Sequence, residues 1–264
     1  DNDCDGVIDV LTDRDSTTNW PGDLGEGDSA LSQDYEPAGD LDGDGKPDLV
    51  IVGEWMPIRF FKNNQGTFKE DTKQVFKSDQ NGWWFSIEKG DFDNDGDQDL
   101  YVVSGGTENK LEENYQDRLY INVNGKFNLS DGLPRYFKSG SCVTASDIDN
   151  DGDLDLFVGT RQTPGRYPEV SPSQLLINNG SGGFRIANER IPNNNNLGNV
   201  TDALWEDING DNQKDLVVVG EWMPITVLFQ KNGTFIDSQN ETLKNTTGLW
   251  NRIVRGDFNQ DGRI

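Results

Sequence analysis

The chain has 264 residues with 47 acidic against 23 basic side chains, giving a net charge of −24 and a pI near 4.1. That balance argues against nucleic acid or an anionic membrane surface as a partner. There is no histidine, which removes Ser-His-Asp and Cys-His catalysis and histidine-based zinc sites.

The chain opens on "DNDCDGVID", where Asp1, Asp3, Asp5 and Asp9 have the spacing of a metal loop. The acidic stretch that follows shows no third or fourth strand, so residues 1–37 read as an acidic linker or a degenerate repeat. A fuller motif of the form DxDxDGxxD begins at Asp40 and returns at Asp91, Asp147 and Asp207, with a shorter copy at Asp257. The spacings are 51, 56, 60 and 50 residues, a rhythm that marks a repeat architecture.

Positions 1, 3, 5 and 9 are Asp40, Asp42, Asp44 and Asp48 in the first loop and Asp91, Asp93, Asp95 and Asp99 in the second. The third has Asp147, Asp149, Asp151 and Asp155, and the fourth Asp207, Asn209, Asp211 and Asp215. The last copy supplies Asp257, Asn259 and Asp261. Position 7, which is Lys46, Asp97, Asp153 or Gln213, offers a backbone carbonyl. Hard divalent cations, calcium above all, take roughly six to eight oxygen ligands along such a turned loop. A glycine at position 6 permits the left-handed turn. An EF-hand would need Glu at position 12 and flanking helices, whereas Val158 stands there and "LDLFVG" reads as a buried strand.

Each period repeats the same order of signals. An apolar lead-in ("WWFSIEKG", "SCVTAS", "LWNRIVRG") precedes the loop, and a β-rich run leaves it. A third strand ends in Asn ("IRFFKNNQG", "DRLYINVNG", "SQLLINNGSG"), and a fourth opens on Gly and Phe. Asn-Gly pairs at 124–125, 179–180 and 232–233 are hairpin signals. One helical turn is expected near residues 108–115. Four short antiparallel strands per unit, in several units, indicate an all-β propeller. A longer repeat lies over this one: "GEWMPI" recurs after 167 residues, and "GWWFSIEKGDF" answers "GLWNRIVRGDF" after 166. Blades therefore repeat in groups of three, and equivalent blades should carry equivalent surface features.

Loops followed by "DL", three apolar residues and Gly resemble the FG-GAP/VCBS repeats of integrin α-type propellers. "DIDNDGDLDLFVGTR", "PGRYP", "NVTDALWEDING" and "DLVVVGEWMPITV" are similar to secreted bacterial VCBS proteins akin to cartilage acidic protein. The resemblance covers about residues 38–264. It implies a seven-bladed propeller that binds calcium between the first and second strands of each blade. Two departures are Asn209 with Asn212 in the fourth loop, and Asn259 in the last, which lacks position 9. The expectation is an incomplete, open part of such a propeller, with four complete blades and a partial one.

Every well-placed carboxylate reads as a metal ligand, so no enzyme activity is expected. Calcium affinities in extracellular modules, on the order of 10⁻⁴–10⁻³ M, point to a secreted or cell-surface protein. Two functions stay open: a protein-binding adhesion module, as the resemblance implies, or a carbohydrate-binding propeller, including the non-catalytic part of a polysaccharide-active enzyme. Either ligand belongs on the rim opposite the calcium loops, since loops on a rigid scaffold carry binding residues. Nucleic acid and membrane insertion are not expected. That rim should present Arg161, Arg166 and Tyr167 from "TRQTPGRYP", with Trp83, Trp84 and Trp250 leading into first strands. Trp, Tyr and Arg are the residues enriched at binding hot spots. The duplicated motif places Glu54, Trp55, Glu221 and Trp222 there too, either as anchors or packed between neighbouring sheets.

Overall fold

The computed structural model describes residues 9–11, 39–77, 81–107, 111–166 and 168–258. Strands β1 (Asp9–Leu11), β2 (Leu49–Val52), β3 (Met56–Pro57), β4 (Arg59–Asn64) and β5 (Thr67–Glu70) come first, and β1-β2-β4-β5 form blade 1. β6 (Asn81–Gly82) pairs with β3 ahead of blade 2, which holds β7 (Trp84–Gly90), β8 (Asp99–Ser104), β9 (Arg118–Asn122) and β10 (Phe127–Leu129). Blade 3 consists of β11 (Ser139–Ser146), β12 (Asp155–Gln162), β13 (Gln174–Ile177) and β14 (Arg185–Ile186). Blade 4 consists of β15 (Asn199–Glu206), β16 (Asp215–Met223), β17 (Thr226–Lys231) and β18 (Thr234–Asp237). All ladders within the blades are antiparallel. Among the described residues no strand of blade 1 pairs with blade 4, so the sheets form an open propeller arc.

Turn chemistry builds the hairpins. Asn124–Gly125 and Asn232–Gly233 both place two consecutive residues at positive φ, as type I′ turns require. At 179–180 only the glycine does so, because the turn runs longer. The helical turn expected near 108–115 is a 3₁₀ turn at Glu112–Tyr115.

The core lies between blades and follows the two-residue period of strands. Leu100 and Val102 of β8 face Val50, Val52 and Phe60 of blade 1. Tyr101 and Val103 of the same strand face Leu156 and Val158 of blade 3. Phe157 then turns toward Trp205, Leu216 and Val218 of blade 4. Second strands β8, β12 and β16 are thus buried on both faces, which is why they read as continuous apolar runs, while β2 is only half-buried on one face. Cys142 is a buried free thiol in the third cluster; Cys4 lies outside the described residues.

The first strands of blades 2, 3 and 4 each carry a bulge six residues before the loop, at Phe85, Ser141 and Thr201. Two of these bulges aim a hydroxyl at the next first strand. Ser141 Oγ donates to Val200 O at 2.6 Å, and Thr201 Oγ1 to Trp250 O at 2.6 Å.

Two expectations need revision. Within the segment read as linker or degenerate repeat, Asp9–Leu11 pairs with β2 and takes the first-strand place of blade 1. Asp9 therefore opens a first strand, whereas position 9 of the other loops opens a second one; Asp1, Asp3 and Asp5 lie outside the described residues. The lead-in at 249–256 is not a regular strand: β19 (Gly248–Leu249) pairs with the end of β16, and the rest follows β15 through isolated contacts. Ile253 N donates to Asp202 Oδ2 at 2.8 Å, and Arg255 to Trp205 O at 3.3 Å. With no second strand beside it among the described residues, the segment has no ladder to complete. No helix among the described residues is long and apolar enough to cross a membrane.

Candidate metal loops and the opposite rim

The four loops before β2, β8, β12 and β16 share one backbone. The position-1 carboxylate accepts from the N–H groups of positions 5 and 6. In loop 2 Asp95 N and Gly96 N reach Asp91 at 3.1 and 2.9 Å, and in loop 3 Asp151 N and Gly152 N reach Asp147 at 3.2 and 3.1 Å. Two residues per loop are left-handed, at positions 4 and 6: Asn94 and Gly96, Asn150 and Gly152. Loop 4 reverses the pair, with Gly210 at φ 78° and Asn212 at φ 63°. Asn tolerates that region, so replacing the usual glycine leaves the turn intact, and Asn212 N reaches Asp207 at 2.7 Å.

Position 9 is a buried clamp. Asp99 Oδ2 accepts from Phe92 N at 2.8 Å and Oδ1 from Asn122 N at 2.7 Å. Asp48, Asp155 and Asp215 hold the equivalent pairs of N–H groups. Each clamp ties a loop to the third strand of its own blade. An amide side chain at the end of that strand ties it to the previous blade. Asn122 Nδ2 donates to Leu41 O in loop 1 and to Gln98 O in loop 2, both at 3.0 Å. Asn178 does the same for Phe92 O and Leu154 O, and Gln230 reaches Ile148 O. The strand-final Asn is visible in the sequence, but its role between loops is not.

Carboxylates of positions 1, 3 and 9 converge in loops 1, 2 and 3: Asp40, Asp42 and Asp48; Asp91, Asp93 and Asp99; Asp147, Asp149 and Asp155. In each group one ligand oxygen per residue lies within 4.8 Å of the others. Loop 4 offers Asp207 and Asp215 with the amide of Asn209. Positions 5 and 7 also serve the turn. Asp95 Oδ1 accepts from Asp97 N at 2.9 Å. Asp97 and Gln213 accept from Asn124 N and Asn232 N in their own hairpins. Burial pushes Asp99 and Asp155 up to about 7 and Asp48 up to about 6, because the charged form loses water. Asp149 Oδ1 and Asp153 Oδ1 are buried in loop 3 without a hydrogen-bond partner. An all-oxygen donor set with orphaned anionic oxygens fits a hard cation. Asp257 is described, while Asn259 and Asp261 lie outside the described residues.

On the opposite rim the duplicated motif builds the same structure twice. Met56 pairs with Gly82 and Met223 with Gly248. Trp84 N donates to Gly53 O and Trp250 N to Gly220 O. In both copies the Trp before Met lies at φ 59°, and Trp55 is 68% and Trp222 61% exposed. Neither Trp packs between sheets. Trp83 meets Trp55 edge to face, with ring centroids 4.5 Å apart.

Other residues expected on this rim are otherwise engaged. Trp84 is buried in the core between blades 1 and 2, with the Arg118 guanidinium 4.7 Å over its ring. Arg161 is ion-paired with Glu221 and so ties blade 3 to blade 4. Arg166 is exposed and lies 3.6 Å from Glu169, and Tyr167 is outside the described residues. Trp250 donates to Thr246 O at 2.9 Å on the edge of blade 4. A cleft of about 870 Å³ lies beside Trp55 and Trp83 and is walled by Asn114, Asp131 and Arg135. Those three come from the connections β8–β9 and β10–β11, which no periodic signal reaches.

The sequence pattern of the FG-GAP-like repeat matches residues 40–102, 147–218 and 207–264. No curated protein matches the chain. The matched segments start at the position-1 residues Asp40, Asp147 and Asp207 and together span more than half of the molecule. Loops, blades and pattern agree, and the chain belongs to the FG-GAP-like repeat family.

Proposed function

We propose that the protein is a calcium-stabilised extracellular binding module whose loops hold the fold and whose opposite rim meets a ligand. The observation that carries the reading is the convergence of three carboxylates in loops 1–3, with buried oxygens in loop 3 that no protein group satisfies. Membership of a family common in extracellular adhesion and binding proteins supports the location and role. Calcium, when bound, supplies the positive charge that lets adjoining carboxylates ionise together. Asp91, Asp93 and Asp99 of loop 2 and Asp147, Asp149 and Asp155 of loop 3 would hold it, whereas in loop 1 Lys62 competes with it for Asp42. Because the clamp and the strand-final amides connect each loop to two blades, an ion there stabilises a junction between sheets. The chain itself is read as non-catalytic.

A site occupied at a hundredfold excess over its Kd contributes about 2.7 kcal/mol. Several such sites are a large share of a typical stability of ~5–15 kcal/mol. Thermal melting with calcium and with chelator tests the reading: the midpoint should fall markedly on chelation, and Asp93→Ala should abolish part of the difference. A melting curve indifferent to chelator would overturn it.

A further inference from the structure

We propose that the cleft between blades 1 and 2 binds an uncharged oligosaccharide, with Trp55 as its stacking platform. The proposal rests on the rim being the ligand face. A bulky residue at φ 59° is held in a region that glycine occupies freely, and such strain persists where surrounding structure imposes it, often at ligand clamps. Burial does not offset the strain here, since the indole is 68% exposed. The turn before Met56 leaves the ring outward, and the edge of Trp83 braces it. The result is a fixed aromatic face at the mouth of a cleft of about 870 Å³, within the range of about 300–1,000 Å³ usual for ligand sites.

The wall beside that face suits hydroxyl groups. Among the described residues the side chains of Asp131 and Arg135 form no hydrogen bond or ion pair, and both are exposed. The wall also holds Glu113, Arg118 and the buried Asp117, so two arginines face three carboxyl groups, one of them inside the protein, and the wall carries little net charge on a chain of net charge −24. A sugar ring presents an apolar C–H face to stack and equatorial hydroxyls that both donate and accept. A sulfated or phosphorylated ligand would call for a cluster of cations, and a protein hot spot for an enclosed apolar pocket.

The second copy of the motif lacks these features. Leu249 stands where Trp83 does, and the smaller cleft of about 370 Å³ beside Trp222 is lined by Pro168, Val170 and Met223, with Asn199 and with Glu221, which Arg161 already engages. The saccharide is therefore assigned to Trp55 and not to Trp222.

The test uses the full chain in calcium with a panel of soluble, uncharged oligosaccharides of glucose, mannose, galactose or N-acetylglucosamine. Binding is followed by tryptophan fluorescence and calorimetry. At least one member should bind, and Trp55→Gly should weaken it at least tenfold without lowering the melting temperature, because glycine relieves the backbone. The double variant Asp131→Ala with Arg135→Ala should weaken it with unchanged melting, and Trp222→Gly should leave it unchanged. The proposal is overturned if no member binds, if Trp55→Gly binds as the parent does, or if its loss of binding comes with a lowered melting temperature. A protein captured only by chains carrying Trp55, with no sugar bound, overturns the saccharide but keeps the binding module. Chelator-indifferent melting defeats only the calcium-stabilised part of that reading.

Discussion

In loop 1 the Lys62 ammonium reaches Asp42 and lies 3.0 Å from Asp44, and Lys46 lies 3.1 Å from Asp44. In loop 2, among the described residues, no basic side chain pairs with Asp91, Asp93, Asp95 or Asp97. The backbones match, with position-4 and position-6 residues left-handed in both. The electrostatics diverge. Hydrogen bonds from Lys62 and then Lys46 hold Asp44 below its usual range, whereas burial, and then the charge of Asp95, raises Asp93. Two positions make the difference: Ile121 stands in blade 2 where blade 1 has Lys62, and Asp97 stands in loop 2 where loop 1 has Lys46. Loop 1 carries cations of its own, and loop 2 has none among the described residues. If the loops hold metal as proposed, sites that look equivalent as motifs should differ in how much they depend on it.

The largest effect should follow Asp99→Ala. It strands the buried N–H groups of Phe92 and Asn122, at about 1–3 kcal/mol each, so urea unfolding should show a loss of roughly 3 kcal/mol or more. Asp48→Ala should cost less, since its contact with Leu41 N is already long at 3.3 Å; the reverse order would break the comparison.

Next in size is Lys62→Met. Removing the resident ammonium should open loop 1 to calcium, adding one ion to the stoichiometry measured by calorimetry. At a hundredfold excess over Kd the calcium-dependent stability should then grow by about 2.7 kcal/mol. An unchanged stoichiometry would mean that lysine and calcium do not compete.

Asn122→Ala removes the amide that bridges loops 1 and 2. A loss of about 1–2 kcal/mol is expected in denaturant unfolding. A loss equal to that of a surface substitution would show the bridge to be incidental.

The smallest effect is on pH dependence without metal. Asp99 and Asp155 are raised to about 7 and Asp48 to about 6 by burial. Raised carboxyls contribute stability that is complete below about pH 4 and lost as pH rises through the folded value. Chelated protein should therefore melt a few degrees lower at pH 8 than at pH 5.5. Calcium should flatten that slope, most of all through loop 2. A slope that calcium leaves unchanged would separate the raised carboxyls from the metal site.

The sequence by itself determined what depends on near neighbours. The DxDxDGxxD spacing specifies the turns, because position-1 carboxylates and left-handed residues three and five places on close them locally. Asn124–Gly125 and Asn232–Gly233 specify their hairpins, and apolar runs such as "LYVV" specify strands buried on both faces. Only the tertiary structure decided which side chains meet across blades. Arg161 is taken up by Glu221, Asn122 bridges two loops, and Trp84 turns inward while Trp55 stays exposed. Each of those outcomes depends on how one twisted sheet packs against the next; within blade 1, Lys62 enters loop 1 from the third strand. The contacts join residues 20 to 81 positions apart, and a two-residue period gives the face of a side chain but not the neighbour it will find there.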